Sequence, residues 1–323
     1  MADLSSPNRR QFLKGSLAGA AALGLNLYPG LSFAADVTGK PKAGKIGDFK
    51  ISLAEWSLHK RLFADRSKTA EMNLDFPKMA KEEFGISGVE FVNQFFKDKA
   101  KDDGYLRDLK KRADDQGVTC VLIMIDGEGD LSEPDKAKRD QAVVNHKTWV
   151  DAALALGCHA IRVNTGNHYS ASNVDSVVEG CGALADYGAK QKIHVICENH
   201  GGPSSDPDSL LAVIKKVGNP AFGTLPDFGN FPNKDHVYSI DVYEAIARMM
   251  PHAKGVSAKS YDFDDKGKEA HLDFARIMKI VTDAGYHNWV GIEYEGSKLS
   301  EPDGIKATKA LLEKLRGSEY AGS

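Results

Sequence analysis

The sequence predicts an α/β protein built as a single (β/α)8 TIM barrel. Three observations carry the prediction. Eight short apolar runs rich in Val and Ile recur from residue 50 onward, each is followed by a loop and an amphipathic helical pattern, and glycines often close the helices. Strands this short, apolar on both faces and separated by helices, belong to a parallel sheet covered on both sides. Eight such units in about 290 residues close into a barrel. A doubly wound open sheet is the disfavoured alternative, because no G-x-G-x-x-G follows the first strand.

The expected strands are residues 51–57, 88–92, 119–125, 160–164, 194–198, 223–227, 255–260 and 290–294. The helices expected between and after them are 76–84, 105–116, 136–156, 174–191, 209–217, 242–250, 274–284 and 304–316. Gly85, Gly117, Gly157, Gly218 and Gly285 fall just past helix ends, where a left-handed residue closes the last turn.

The 323 residues are 42% hydrophobic and 27% charged, with a formal net charge of −3. No run of Lys and Arg beyond the N-terminus could track phosphates, which argues against nucleic acid as a partner. The first residues are of another kind. Asn8-Arg9-Arg10-Gln11-Phe12-Leu13-Lys14 precedes an apolar stretch at 16–27, and Ser32-Phe33-Ala34 offers small residues for cleavage. This resembles a twin-arginine export signal. A short membrane-anchoring helix is the alternative, disfavoured by Asn26 and Pro29 and by the shortness of the run. The expected organisation is a signal at 1–34, a linker at 35–49, the barrel at 50–318 and a tail at 319–323, in a protein that is periplasmic or secreted. Cleavage removes Asp3 with Arg9, Arg10 and Lys14, a net +2, and leaves −5 on a mature chain with no stable hold on the membrane. Cys120, Cys158, Cys181 and Cys197 are widely spaced, without C-x-x-C, and read as buried free thiols.

Chemistry in such barrels sits at the C-terminal ends of the strands. The residues there are Glu55, Trp56 and His59; Glu90 and Asn93; Asp126 and Glu128; Arg162 and Asn164; Glu198 and His200; Asp227 and Asn230; Ser257 and Lys259; Glu293 and Glu295. Glu198, Asp227 and Glu293 each end an apolar run, as V-I-C-E, G-T-L-P-D and V-G-I-E. Three carboxylates converging in a barrel mouth repel one another unless a positive charge lies between them. One divalent metal ion (Mn, Co, Mg or Zn) resolves this, and oxygen donors favour a hard or borderline ion. Private ion pairs with Arg162 or Lys259 are the bland alternative.

His200 shares parity with Glu198 and is a candidate fourth ligand or substrate contact. Lys259 offers a cation that could stabilise an enolate, carry a proton or form a Schiff base, the last ranked lowest among so many acids. Arg162, Asn164, Asn230, Ser257, Trp56 and Glu295 complete the expected substrate contacts. Phe91, Phe228, Phe231 and Tyr261 lie near the same strand ends, where sugars stack on rings, though each alone reads as core.

The set I-C-E-N-H-G-G, L-P-D-F-G-N-F, G-V-S-A-K-S-Y-D-F and G-I-E-Y-E-G resembles the xylose isomerase-like sugar isomerase/epimerase superfamily over essentially the whole mature chain. The resemblance implies that Glu198, Asp227 and Glu293 bind one divalent metal. It also implies a histidine ligand from the seventh strand, where this chain has Ser257, and a histidine after the sixth-strand acid, where it has Asn230. The implied reaction starts with a metal-bridged keto sugar that loses its alpha proton to Glu198 or Glu293, giving an enediolate. Return of the proton gives epimerisation or isomerisation, and loss of a beta leaving group makes the enzyme a keto-glycoside lyase. Export favours a free sugar or glycoside over a phosphorylated one. A metal-dependent nuclease fits poorly, and a non-catalytic sugar-binding barrel is the remaining alternative. The sequence leaves the sugar, the metal and any homo-oligomer open.

Overall fold

The computed structural model describes residues 38–322. The expected export signal at 1–34 lies outside the described residues. Eight parallel strands form the barrel: β1 Lys50–Ala54, β2 Gly88–Val92, β3 Thr119–Ile125, β4 Ala160–Val163, β5 His194–Glu198, β6 Phe222–Leu225, β7 Val256–Ser260 and β8 Trp289–Tyr294. The helices are α1 Thr69–Phe84, α2 Asp103–Asp115, α3 Lys136–Leu156, α4 Asp175–Gln191, α5 Pro207–Val217, α6 Val242–Met249, α7 Phe274–Asp283 and α8 Glu301–Leu315.

The ladder runs continuously from β7 through β8 and β1 to β6. The seam between β6 and β7 is closed by isolated parallel bridges, Thr224 to Ala253 and Asp227 to Ser257. Pro226 explains the weak seam. Lacking an N–H, it cannot extend the ladder, so β6 stops at Leu225, short of the expected 227. The Pro226 carbonyl still accepts from Ser257 N at 3.0 Å, and Phe228 N donates to Ser257 O at 3.1 Å. Asp227 is thereby fixed between β6 and β7.

Helix starts follow capping chemistry. Asp135 accepts from Ala137 N and Lys138 N ahead of α3, and Asp206 caps α5 with Pro207 at its first position. Gly157 and Gly218 end these helices at φ 73° and 59°. The first helix differs from expectation: it begins at Thr69, not 76, and carries Pro77 inside. Its buried stripe runs Thr69, Asn73, Phe76, Pro77, Ala80 and Phe84, a regular helical spacing whose first members are polar. Both polar members are satisfied, Thr69 Oγ1 by Leu62 O at 2.9 Å and Asn73 Nδ2 by Glu55 Oε1 at 2.7 Å, so a search for apolar periodicity misses them.

The segments assigned as linker and tail pair with each other at the foot of the barrel. Gly44–Lys45 and Glu319–Tyr320 form an antiparallel pair, and Ile46 and Phe49 are buried beside it. All four cysteines are buried and unbridged. Among the described residues, no helix is long and apolar enough to cross a membrane.

The largest buried side chain, Trp149 on α3, packs edge-on against Phe96 at 5.2 Å. Trp149→Ala is expected to cost about 3–5 kcal/mol, read as a lower urea midpoint with an unchanged far-UV spectrum.

Candidate active site

Period-two alternation sends one residue in two of each strand into the barrel. On β7 and β8 the paired residues Lys259 and Glu293, and Ser257 and Gly291, face each other across the ladder. Glu198 ends β5, and Asp227 sits at the β6–β7 seam. The result is one cluster at the C-terminal mouth, in which ligand oxygens of Glu198, Asp227 and Glu293 lie within 4.8 Å of one another, all buried.

The cations expected as alternatives to a metal are here as well. Lys259, 1% exposed, lies 3.0 Å from Glu293 Oε1 and 3.1 Å from Glu295 Oε2. Arg162 donates to Asp126 Oδ1 at 2.8 Å and places Nε 2.8 Å from Glu198 Oε2, off the hydrogen-bonding direction. Convergence and private pairing therefore occur together.

Asp227 is the most firmly held acid. Oδ1 accepts from Gly229 N at 2.8 Å and Asn230 N at 2.7 Å, and Oδ2 from Ser257 Oγ at 2.5 Å. Asn230 Nδ2 also reaches Glu198 Oε1 at 2.9 Å. Ser257 thus stands between two of the acids, its hydroxyl also 3.4 Å from Glu293 Oε2. Burial pushes the Asp227 carboxyl up to about 8, against the pull of Lys259. Burial also raises Glu293, but Lys259 and then Arg162 outweigh it and hold that carboxyl below its ordinary value. Burial would neutralise Lys259, but Glu293, Asp227 and Glu295 keep its ammonium well above the usual range. A protonated, ion-paired amine is no Schiff-base nucleophile.

Several rim residues take other places. His200 is exposed, and its ring is not among the groups that converge on the acids. β5 ends at Glu198, so His200 lies in the following loop, still near enough for its charge to help lower the Glu293 and Asp126 carboxyls. Asn164 donates to Asp126 Oδ1 at 2.7 Å, the oxygen that Arg162 also bonds. Glu295 holds Trp56, accepting from its Nε1 at 2.5 Å. Trp56 stacks on His59 at 4.9 Å. Phe91 and Phe228 are wholly buried core, whereas Trp56 and Tyr261 are half-buried at the mouth.

Asn199 escapes a reading of strand ends, and Glu90 takes a place that such a reading does not give it. Asn199 reaches across to β6, donating to Asp227 O at 3.0 Å and accepting from Asp227 N at 2.8 Å, and so ties the ends of two strands. Glu90 lies inside the barrel below the cluster, bonded to Ser52 Oγ at 2.6 Å with Oε2 unpartnered, and burial pushes it up to about 8. Gly291 makes its room: a Cβ there would lie 2.5 Å from Glu90 Oε2. The G in V-G-I-E was the available signal.

Four buried acids, Glu90, Glu198, Asp227 and Glu293, thus face two buried cations, Arg162 and Lys259. The excess of carboxylates over cations, with ligand oxygens of three of them within 4.8 Å, fits one hard or borderline divalent cation.

Comparison with known proteins agrees with this architecture. The profile of the xylose isomerase-like TIM barrel matches residues 79–316. The chain belongs to the xylose isomerase-like TIM-barrel family. A twin-arginine translocation signal profile matches residues 6–25 and supports export by that pathway. Among solved members of this fold, a 3-keto-D-glucoside 4-epimerase from E. coli superposes with TM-score 0.65 at 13% identity, covering 83% of this chain and 100% of its own. A xylose isomerase-like protein from Mycobacterium smegmatis, solved with magnesium, gives 0.60 at 16% identity, covering 83% and 96%. A stretch of 64 residues is 36% identical to the C-glycoside deglycosidase alpha subunit of Arthrobacter globiformis, spanning 19% of this chain and 18% of that protein.

Glu55, expected at the rim, is fully buried, its carboxylate bonded by Asn73 Nδ2 and Val92 N. Burial raises it to about 8 against those two hydrogen bonds. A carboxyl raised on folding contributes stability that is present below its unfolded value and lost as pH rises through the folded one. The urea midpoint of the wild type is expected to fall between pH 5 and about 8, and Glu55→Gln to flatten that slope. Equal slopes in the two proteins would refute the assignment.

Proposed function

We propose that the barrel mouth binds a keto sugar and removes the proton alpha to its carbonyl, as a metal-dependent isomerase or epimerase. The observation that carries this reading is the convergence of Glu198, Asp227 and Glu293 within 4.8 Å in a buried mouth. A divalent cation held by these three carboxylates would polarise the carbonyl and supply positive charge where the substrate oxygen becomes negative.

The chain's own groups do the rest. Asn230 holds Glu198 Oε1, and Glu198 is one of the two carboxylates placed to accept the alpha proton. Arg162, with Nε 2.8 Å from Oε2, steadies the carboxylate in its ionised form. Glu293, kept ionised by Lys259, is the second carboxylate of the pair and exchanges the proton at the other face. Lys259 stays an ammonium and offers charge to the developing oxyanion rather than covalent chemistry. Ser257 positions Asp227 where the family resemblance calls for an imidazole. His200 is left as a substrate contact at the rim.

The same proton abstraction serves a keto-glycoside lyase when a leaving group lies beta to the carbanion. The stretch shared with the Arthrobacter deglycosidase subunit supports this second reading.

Glu198→Gln and Glu293→Gln are each expected to lower alpha-proton exchange, followed by NMR in heavy water with a panel of keto sugars, by about 100-fold or more; full exchange in both would sink the reading. Elemental analysis should find one equivalent of Mn, Co, Mg or Zn per chain, lost in Asp227→Asn. A folded, metal-free wild type that binds sugar would instead be a binding protein.

A further inference from the structure

Beside the acid cluster the mouth opens into a cleft of about 270 Å³, lined among others by Gly201, Gly202, Gly229, Asn230, Pro232 and Tyr261. Two of these residues also belong to the cluster's support: Asn230 Nδ2 bonds Glu198, and Gly229 N bonds Asp227. The cleft is therefore the next space available to anything attached to a sugar held over the acids.

Its walls have few polar groups to spare. Ser205 Oγ accepts from Gly201 N at 2.7 Å and donates to Asn230 O at 2.6 Å. Asn233 donates to Phe231 O at 3.0 Å and accepts from His236 N at 3.2 Å. No Lys or Arg lines the cleft, so a phosphate would meet no cation there. What remains is glycine backbone, the Pro232 ring, and the aromatic residues Phe231 and Tyr261. The Tyr261 ring is held in place: His236 lies against it at 4.3 Å and itself stacks on His271 at 4.1 Å. Gly229 permits its approach, since a Cβ there would lie 2.6 Å from the Tyr261 hydroxyl and 2.9 Å from Cε2. An apolar-faced slot lined by two aromatic residues, with the Tyr261 ring held in place, suits a flat apolar group that gains by leaving water.

The geometry points to an aglycone subsite, with Tyr261 as the residue that selects glycosides carrying an aromatic aglycone. This rests on the keto-sugar reading for the placement of the reacting ring. A free monosaccharide would leave the cleft to water.

The test compares p-nitrophenyl and methyl 3-keto-β-glucosides on the full-length protein, with Kd from titration calorimetry and alpha-proton exchange from NMR. The aryl probe is expected to bind at least about tenfold tighter than the methyl probe. Tyr261→Ala, and Gly229→Ala through the displaced ring, should bring that ratio near one, while Tyr261→Phe keeps it. Equal affinities for the two probes, or a ratio unchanged in Tyr261→Ala, overturn the proposal. So does a 3-keto disaccharide that binds tighter than the aryl probe, which would give the cleft to a second sugar. An aryl preference that depends on Tyr261, without proton exchange on any glycoside, upholds the subsite and removes the keto-sugar reading instead.

Discussion

Carboxylates packed into a low-dielectric barrel mouth impose the constraint around which the site is arranged. Each of Glu198, Asp227 and Glu293 is at most 4% exposed, and desolvation of three such charges is affordable only where opposite charge and donors surround them. Lys259 and Arg162 are nearly as buried, and each touches two acids. Backbone donors at Gly229 and Asn230, with the Ser257 hydroxyl, hold the Asp227 carboxyl in place.

That arrangement reaches outward into the rim. Glu295 accepts from both Lys259 and Trp56, so the ammonium that neutralises Glu293 also fixes an aromatic wall of the mouth. On the other side, Asn230 and Gly229 join the acids to the cleft and to Tyr261. In the proposed reaction the groups that hold charge and the groups that hold the substrate's shape are thus mechanically continuous. A change in one wall is expected to be felt at the carboxylates.

The strand and helix pattern was legible because it is local. Runs of Val and Ile, aspartate caps and closing glycines each act within a few residues of themselves. The sites of misreading are equally specific. Thr69 and Asn73 lengthen α1 although they are polar, because their partners Leu62 and Glu55 lie on another segment. Parity holds only while the strand lasts, and β5 ends two residues before His200, which therefore meets the acids from a loop. Glu55 and Glu90 read as rim acids and lie buried instead, one satisfied by Asn73 and Val92, the other accommodated by a glycine two strands away.

The sequence by itself determined the barrel, the export signal's resemblance and the three acids that end β5, the β6–β7 seam and β8. These follow from periodicity and from the cost of a carboxylate at the end of an apolar run, both of which are properties of short segments. Only the tertiary structure decided how the charges are shared. Lys259 faces Glu293 because β7 and β8 pair in that register, and Arg162 lies between Asp126 and Glu198 because β3, β4 and β5 are neighbours. Electrostatic compensation depends on distances of about 3 Å across strands far apart in the chain, and no local pattern encodes such a distance.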